Sequence, residues 1–119
     1  MQTTDPILDP ATIGRLKALA ESVARPGEDL IARLIEIFVT DSGTRFVDCG
    51  TAWRAEDFVV AGRAAHTIKG SASNLGANHV VEAARVIEEA CKASAAVNDA
   101  MLAALKTALD EAHAALRTL

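Results

Sequence analysis

Proline occurs in this chain only at positions 6, 10 and 26, so residues 27–119 contain no ring that would break a helix. A stretch this long, rich in alanine and leucine, with apolar residues three and four apart, points to amphipathic helices packed on one another. Aromatic residues make up only 3% of the sequence, with one Trp, three Phe and no Tyr, which suits close-packed helices better than sheets. The expected fold class is all-α.

The apolar spacing divides the chain into five helices. Asp9-Pro10 opens the first, an N-cap side chain followed by a ring that the first helical position tolerates. Ile13, Leu16, Ala20 and Val23 form its apolar line, and Pro26-Gly27 ends it. Glu28 and Asp29 open the second helix, whose line runs through Ile31, Leu34, Ile35, Phe38, Ser42, Arg45 or Phe46, Cys49 and Trp53. Its middle is weak, because Thr40 to Gly43 lower helix propensity and Gly50 costs about another 1 kcal/mol relative to Ala. That weakness predicts a kink or break near Gly43. Asp57 is the next N-cap, and Phe58, Ala61, Ala65, Ile68, Ala72 and Leu75 then alternate by three and four. Gly76 supplies a left-handed cap, and Asn78 caps a fourth helix carrying Val80, Ala84, Ile87 and Cys91. After a turn over 92–97, Asn98 caps the last helix, with Leu102, Leu105, Leu109, Ala112 and Leu116 on its inner face. The expected architecture is an antiparallel up-and-down four-helix bundle with an additional short N-terminal helix across one end. It occupies one domain, residues 1–119, led by a flexible stretch over 1–8.

Several functions are disfavoured at this level. A formal charge of −4 leaves no basic stripe of the kind a nucleic-acid surface needs. Cys49 and Cys91 have no zinc-like spacing and read as small buried residues. No run approaches the ~18 apolar residues of a membrane span, and MQTTDPILDP lacks the basic start and apolar core of a signal peptide. The chain is therefore expected to be cytoplasmic. Paired Glu-x-x-His motifs of di-iron bundles are missing, Asp110-x-x-His113 having no mate, and no phosphate-cradling glycine loop marks an ATP site. Neither a metal nor a cofactor is expected on this chain.

The informative stretch is Ala64 to Asn78, AAHTIKGSASNLGAN. At ~100° per residue, His66 points roughly 130° away from the centre of the apolar face, toward solvent. Val59, Gly62, Arg63, Lys69, Gly70 and Ser73 share its outward arc. Two glycines within a helix, about one turn before and one turn after the histidine, lower its stability. A physical compensation is access, since without side chains there another protein can approach the imidazole; Gly62 reads equally as a helix-packing contact. Lys69 at i+3 places a cation beside whatever the ring acquires, and Ser73 offers a hydroxyl one turn further on. Neutral imidazole is nucleophilic near pH 7, and a phosphoryl group brings negative charge and acceptor oxygens that an ammonium neutralises.

His66-Thr67-Ile68-Lys69-Gly70, followed by small residues and Leu75-Gly76, resembles the hallmark of the histidine phosphotransfer (HPt) family, with Ile68 where leucine is commoner. The resemblance implies that His66 is the phosphoacceptor, through Nε2, and that Lys69 stabilises the phosphoryl group. It also implies that Gly70 lets a receiver domain dock. A polar residue on the following helix that bonds the other ring nitrogen falls at Glu88 by ungapped counting, and one register step exchanges it with Glu89. The implied function is a phosphoryl carrier rather than an enzyme. It takes the group from a sensor or hybrid histidine kinase, or from a receiver aspartate, and passes it to a response-regulator receiver domain that brings the magnesium. A transient partner needs only a modest patch around His66, so a monomer is expected. The initiating Met fits a free-standing shuttle. Arg63, Arg85 and Lys92 are candidate charges for docking an acidic surface, whereas His79 and His113 read as structural.

Overall fold

The computed structural model describes residues 6–93 and 99–119, and every regular element among them is a helix. In chain order these are α1 (Pro10–Val23), α2 (Leu30–Arg54), α3 (Phe58–Asn74), α4 (Asn78–Lys92) and α5 (Asp99–Leu116). Three of the starts are set by aspartate caps. Asp9 accepts from the Thr12 amide at 3.1 Å, Asp29 from Ala32 at 3.0 Å and Asp57 from Val60 at 3.2 Å. Each such cap is worth about 1 kcal/mol, which is why the Asp positions locate helix starts so well. The expected cap Asn98 lies outside the described residues.

Asn78 is not a cap. Ala77 holds the N-cap position of α4 without a side-chain hydrogen bond, and Asn78 is the first helical residue. Its Nδ2 instead donates to the Pro6 carbonyl at 3.2 Å. The reason lies in the turn. Gly76, at φ 66°, reverses the chain, and its carbonyl accepts the Asp9 amide at 2.8 Å, so the N-terminal segment occupies the space above the turn. Of the stretch 1–8 expected to be flexible, residues 1–5 lie outside the described residues. Over 6–8 the chain is held by the Asn78 bond and by Leu8 packing on the core.

The break anticipated near Gly43 does not occur, for α2 runs uninterrupted over 25 residues. Packing overrides propensity here. Ser42 is buried with its Oγ 3.0 Å from His113 Nε2 on α5, and Phe38 meets the His113 ring edge-on at 5.7 Å between centroids.

α3 lies between α2 and α4, α5 packs on α4 and returns to α2, and α1 rests on α2. Their shared core runs through Phe38, Cys49, Trp53, Ala61, Ala65, Ile68, Val80, Ala84, Ile87, Leu105 and Leu116. Two assigned core positions are exposed: Val23 at 62% and Leu34 at 39%. Both fall in the thinly packed corner between α1 and α2, where no residue from 21 to 37 is buried. Cys49 and Cys91 are buried free thiols, and burial pushes the Cys49 pKa up to about 11, which leaves it unreactive. No described helix is long and apolar enough to cross a membrane.

Candidate functional site

Ala61, Ala64, Ala65, Ile68 and Ala72 bury one face of α3. That anchors the helix so that His66, on the other face, keeps 66% of its side chain exposed. Across the interface α4 turns Glu88 toward it. Glu88 lies among the buried residues of α4, its side chain only 9% exposed, and its Oε2 stands 2.7 Å from His66 Nδ1. An ionised carboxylate can only accept, so the ring donates from Nδ1. In the neutral imidazole this leaves Nε2 as the unprotonated nitrogen with an available lone pair.

Burial alone would push Glu88 toward its neutral form. Instead its pKa is held below the ordinary carboxylate value, chiefly by the hydrogen bond from Lys69 and, against desolvation, by that from His66. Lys69 Nζ donates to the second oxygen, Oε1, at 2.5 Å. One carboxylate thus joins the exposed imidazole to the lysine one turn further along α3. The alternative Glu89 points elsewhere, its side chain 63% exposed and bonded to Arg85 at 2.7 Å.

The two flanking glycines have different neighbours. A Cβ on Gly62 would lie 3.1 Å from the Cys91 Cβ, so this glycine lets α3 and α4 approach closely. A Cβ on Gly70 would meet nothing within 4 Å. Of its two readings Gly62 therefore has the packing contact, while Gly70 leaves open space beside the site.

A groove of about 570 Å³ borders His66 on the Gly62 side. From α3 it is lined by Phe58, Val59, Gly62, Arg63 and His66, and from α4 by Glu88, Cys91 and Lys92. Val59 and Arg63, assigned to the outward arc, do reach it. Lys69, Gly70 and Ser73 do not line it, and Ser73 sits exposed one turn beyond Lys69. Phe58 and Cys91 read as core in the sequence, and in the structure Cys91 is buried and Phe58 packs on the core while each also lines this groove. Lys92, a candidate docking charge in the sequence, does reach the groove, four residues after Glu88 on the same face of α4. Its Nζ is 3.9 Å from Glu88 Oε2.

The other histidines are engaged away from this site. His79 Nδ1 lies 3.2 Å from Glu111 Oε1, and His113 lies against Ser42 and Phe38. Among the described residues, no three His, Cys, Asp or Glu side chains gather as a metal site.

A helical fold that presents one exposed imidazole, hydrogen-bonded from behind by a buried carboxylate, can offer a nitrogen lone pair to another molecule. Residues 33–115 match the family model of the Hpt domain, and the chain belongs to that family. Its role is histidine phosphotransfer in a phosphorelay. The fold is similar to the crystal structure of histidine-containing phosphotransfer protein B from Pseudomonas aeruginosa PAO1. The TM-score is 0.83 at 22% identity, covering 95% of this chain and 93% of that one. No curated protein sequence matches the chain significantly.

Proposed function

We propose that His66 is the phosphoacceptor of this chain, with Nε2 as the attacking atom. The observation that carries the assignment is the 2.7 Å contact between Glu88 Oε2 and His66 Nδ1 behind a ring that is otherwise open. In the transfer step the Nε2 lone pair forms a bond to phosphorus, and the bond from phosphorus to the donor oxygen breaks. Its electron pair leaves with the donor, a receiver aspartate or, by the corresponding break at nitrogen, a kinase phosphohistidine. The Nδ1 proton stays in place, and the carboxylate of Glu88 offsets the positive charge that develops on the ring. Passing the group to a receiver aspartate is the same step reversed. Lys69 keeps Glu88 ionised and adds positive charge beside the ring as the phosphoryl group arrives. Positioning of this kind supplies most of the benefit in phosphoryl transfer.

On this reading the chain is a carrier with no ATP site of its own, and the magnesium required for aspartate chemistry comes with the receiver. Partners are a sensor or hybrid histidine kinase and response-regulator receiver domains, met transiently by a cytoplasmic monomer. They dock over Val59, Gly62, Arg63, Gly70 and Ser73, with Gly70 as the clearance. Neither nucleic acid nor membrane is a partner. The cycle α2–α3–α4–α5 is read as one domain, an antiparallel up-and-down bundle with α1 across one end, a reading supported by the short turns at 55–57 and 75–77.

Incubation with a phosphorylated receiver tests the assignment. The protein should acquire a phosphate that is labile to acid and stable to base, and His66→Gln should acquire none. Full labelling of that variant would refute it.

A further inference from the structure

We propose that Gly62 is a positioning residue for the His66 site: its missing Cβ lets α4 come close enough for Glu88 to reach the imidazole. The inference rests on the assignment of His66 as phosphoacceptor and adds a residue that acts on the ring only through Glu88.

Glycine in a helix interior is destabilising relative to alanine. At Gly70 a Cβ would meet nothing within 4 Å, so packing does not require glycine there. At Gly62 a Cβ would lie 3.1 Å from the Cys91 Cβ and 3.8 Å from its Sγ. Turning the Cys91 side chain does not relieve the shorter contact, because the position of a Cβ is fixed by its own backbone. The two helices themselves would have to separate.

That pinch lies one turn from the site. Gly62 precedes His66 by four residues on α3, and Cys91 follows Glu88 by three on α4. The pairs Gly62–Cys91 and His66–Glu88 therefore succeed one another along one interface, about a helical turn or ~5.4 Å apart. At the other end the two helices are tied by the turn over 75–77. Ala77 donates there to the Ala72 carbonyl at 2.9 Å, and the Gly76 carbonyl accepts from Asp9 at 2.8 Å. A wedge at Gly62 would thus open the pair from the end away from the turn, and the His66–Glu88 contact lies between the two.

Glu88 tolerates little opening. Its side chain is 9% exposed, and it stays ionised there through the donors on Lys69 and His66. Oε2 is 2.7 Å from Nδ1, and a charge-assisted bond of that length weakens once the helices part. Gly62, His66, Glu88 and Cys91 all line the groove, so a wider gap also admits water that competes with the ring for the carboxylate. The ring then loses its preference for Nδ1–H, and fewer molecules present a free lone pair on Nε2.

The test uses no protein partner, so a lost docking contact does not imitate the effect. Wild type, Gly62→Ala, the double variant Gly62→Ala with Cys91→Gly, and Ile13→Val are compared. Nitrogen NMR of the His66 ring gives the tautomer ratio. Phosphoramidate, whose phosphorus–nitrogen bond breaks as ammonia leaves, gives the rate of phosphoryl uptake. Gly62→Ala should mix the tautomers and slow uptake roughly four-fold, less than loss of the charge at Glu88. Cys91→Gly moves the missing Cβ to the facing helix, so the double variant should return both readouts to wild type although its Tm stays lower. Ile13→Val, which lowers Tm from α1, should change neither readout. A wild-type tautomer ratio and rate in Gly62→Ala overturn the proposal. A double variant that stays mixed and slow overturns it too, and that arm decides even if Gly62→Ala alone does not fold. The tautomer ratio is read without phosphorylation, whereas no label on the wild type, or full label on His66→Gln, overturns the phosphoacceptor assignment itself.

Discussion

The carboxylate of Glu88 stands 2.7 Å from Nδ1 of His66, joining a buried position on α4 to an exposed one on α3. That single contact decides which ring nitrogen faces outward with a lone pair. It also depends on a third residue, because Glu88 stays ionised in its buried setting chiefly through Lys69.

Substitutions at Glu88 should separate orientation from charge. Glu88→Gln keeps an oxygen that accepts from Nδ1 but loses the negative charge, and transfer to His66 should slow about ten-fold, the scale of one charge-assisted hydrogen bond. Glu88→Leu removes the acceptor as well and should slow it further. Nitrogen NMR of the ring should show a single Nδ1–H tautomer in the wild type and a mixture in Glu88→Leu. Because the folded-state pKa of Glu88 is depressed, its contribution to stability is present above its ordinary value of 4.5. That contribution is lost as pH falls through the folded value, so stability should fall more steeply with acid in the wild type than in Glu88→Gln, which has no carboxyl group to protonate.

Gly62 and Gly70 should respond in opposite directions. Gly70→Ala gains helix propensity of about 1 kcal/mol with nothing in the way, so Tm should rise by a few degrees. Gly62→Ala gains the same propensity but forces a Cβ to 3.1 Å from Cys91, and α4 must shift. Its Tm should fall. Gly70→Leu should leave the fold intact yet slow transfer from a receiver, since it fills the clearance beside His66. Thermal unfolding and a phosphotransfer assay on the three variants check all of this.

The contrast between these glycines also shows where reading the sequence stops. Periodicity placed His66 outside and Ile68 inside, because a single helix fixes the directions of its own residues. Asp9, Asp29 and Asp57 marked helix starts for the same local reason. What was not legible depends on a second element. Gly62 against Cys91, Lys69 on Glu88 and the unbroken path of α2 past Gly43 are all set by how neighbouring helices dock. Asn78 looked like a cap until the N-terminal segment was seen to take its side chain.

Two turns hold residues in the left-handed region with unequal consequences. Glu56, at φ 59°, closes the α2–α3 turn with a side chain that is exposed. Glu56→Gly should stabilise the protein by about 1 kcal/mol by relieving that backbone strain. Gly76, at φ 66°, is the reverse case: a Cβ there would lie 2.9 Å from the Asp9 Cβ and 3.0 Å from that of Thr12. Gly76→Ala should destabilise by roughly 2 kcal/mol, combining left-handed strain with a clash that displaces the cap of α1. Denaturant midpoints at constant slope report both effects.

His113 should make the fold sensitive to mild acid. Its ring packs edge-on against Phe38 with Nε2 3.0 Å from Ser42 Oγ, and burial first, then Arg117, lowers its pKa below the ordinary 6.5, with Asp110 opposing. A histidine depressed in the folded state binds its proton more readily when unfolded. Well above pH 6.5 neither state is protonated and His113 contributes no pH dependence. As pH drops through that value the unfolded chain takes up the proton first, so stability declines until the folded-state pKa is passed. His113→Gln retains a polar partner for Ser42 without a titrating ring, and should remove this component of the slope of Tm between pH 7 and 5. The phosphotransfer rate at neutral pH should not change, because His113 faces α2 and has no part in the His66 groove. A slope identical in the two proteins would show that burial at the α2–α5 contact does not set the proton affinity of this ring.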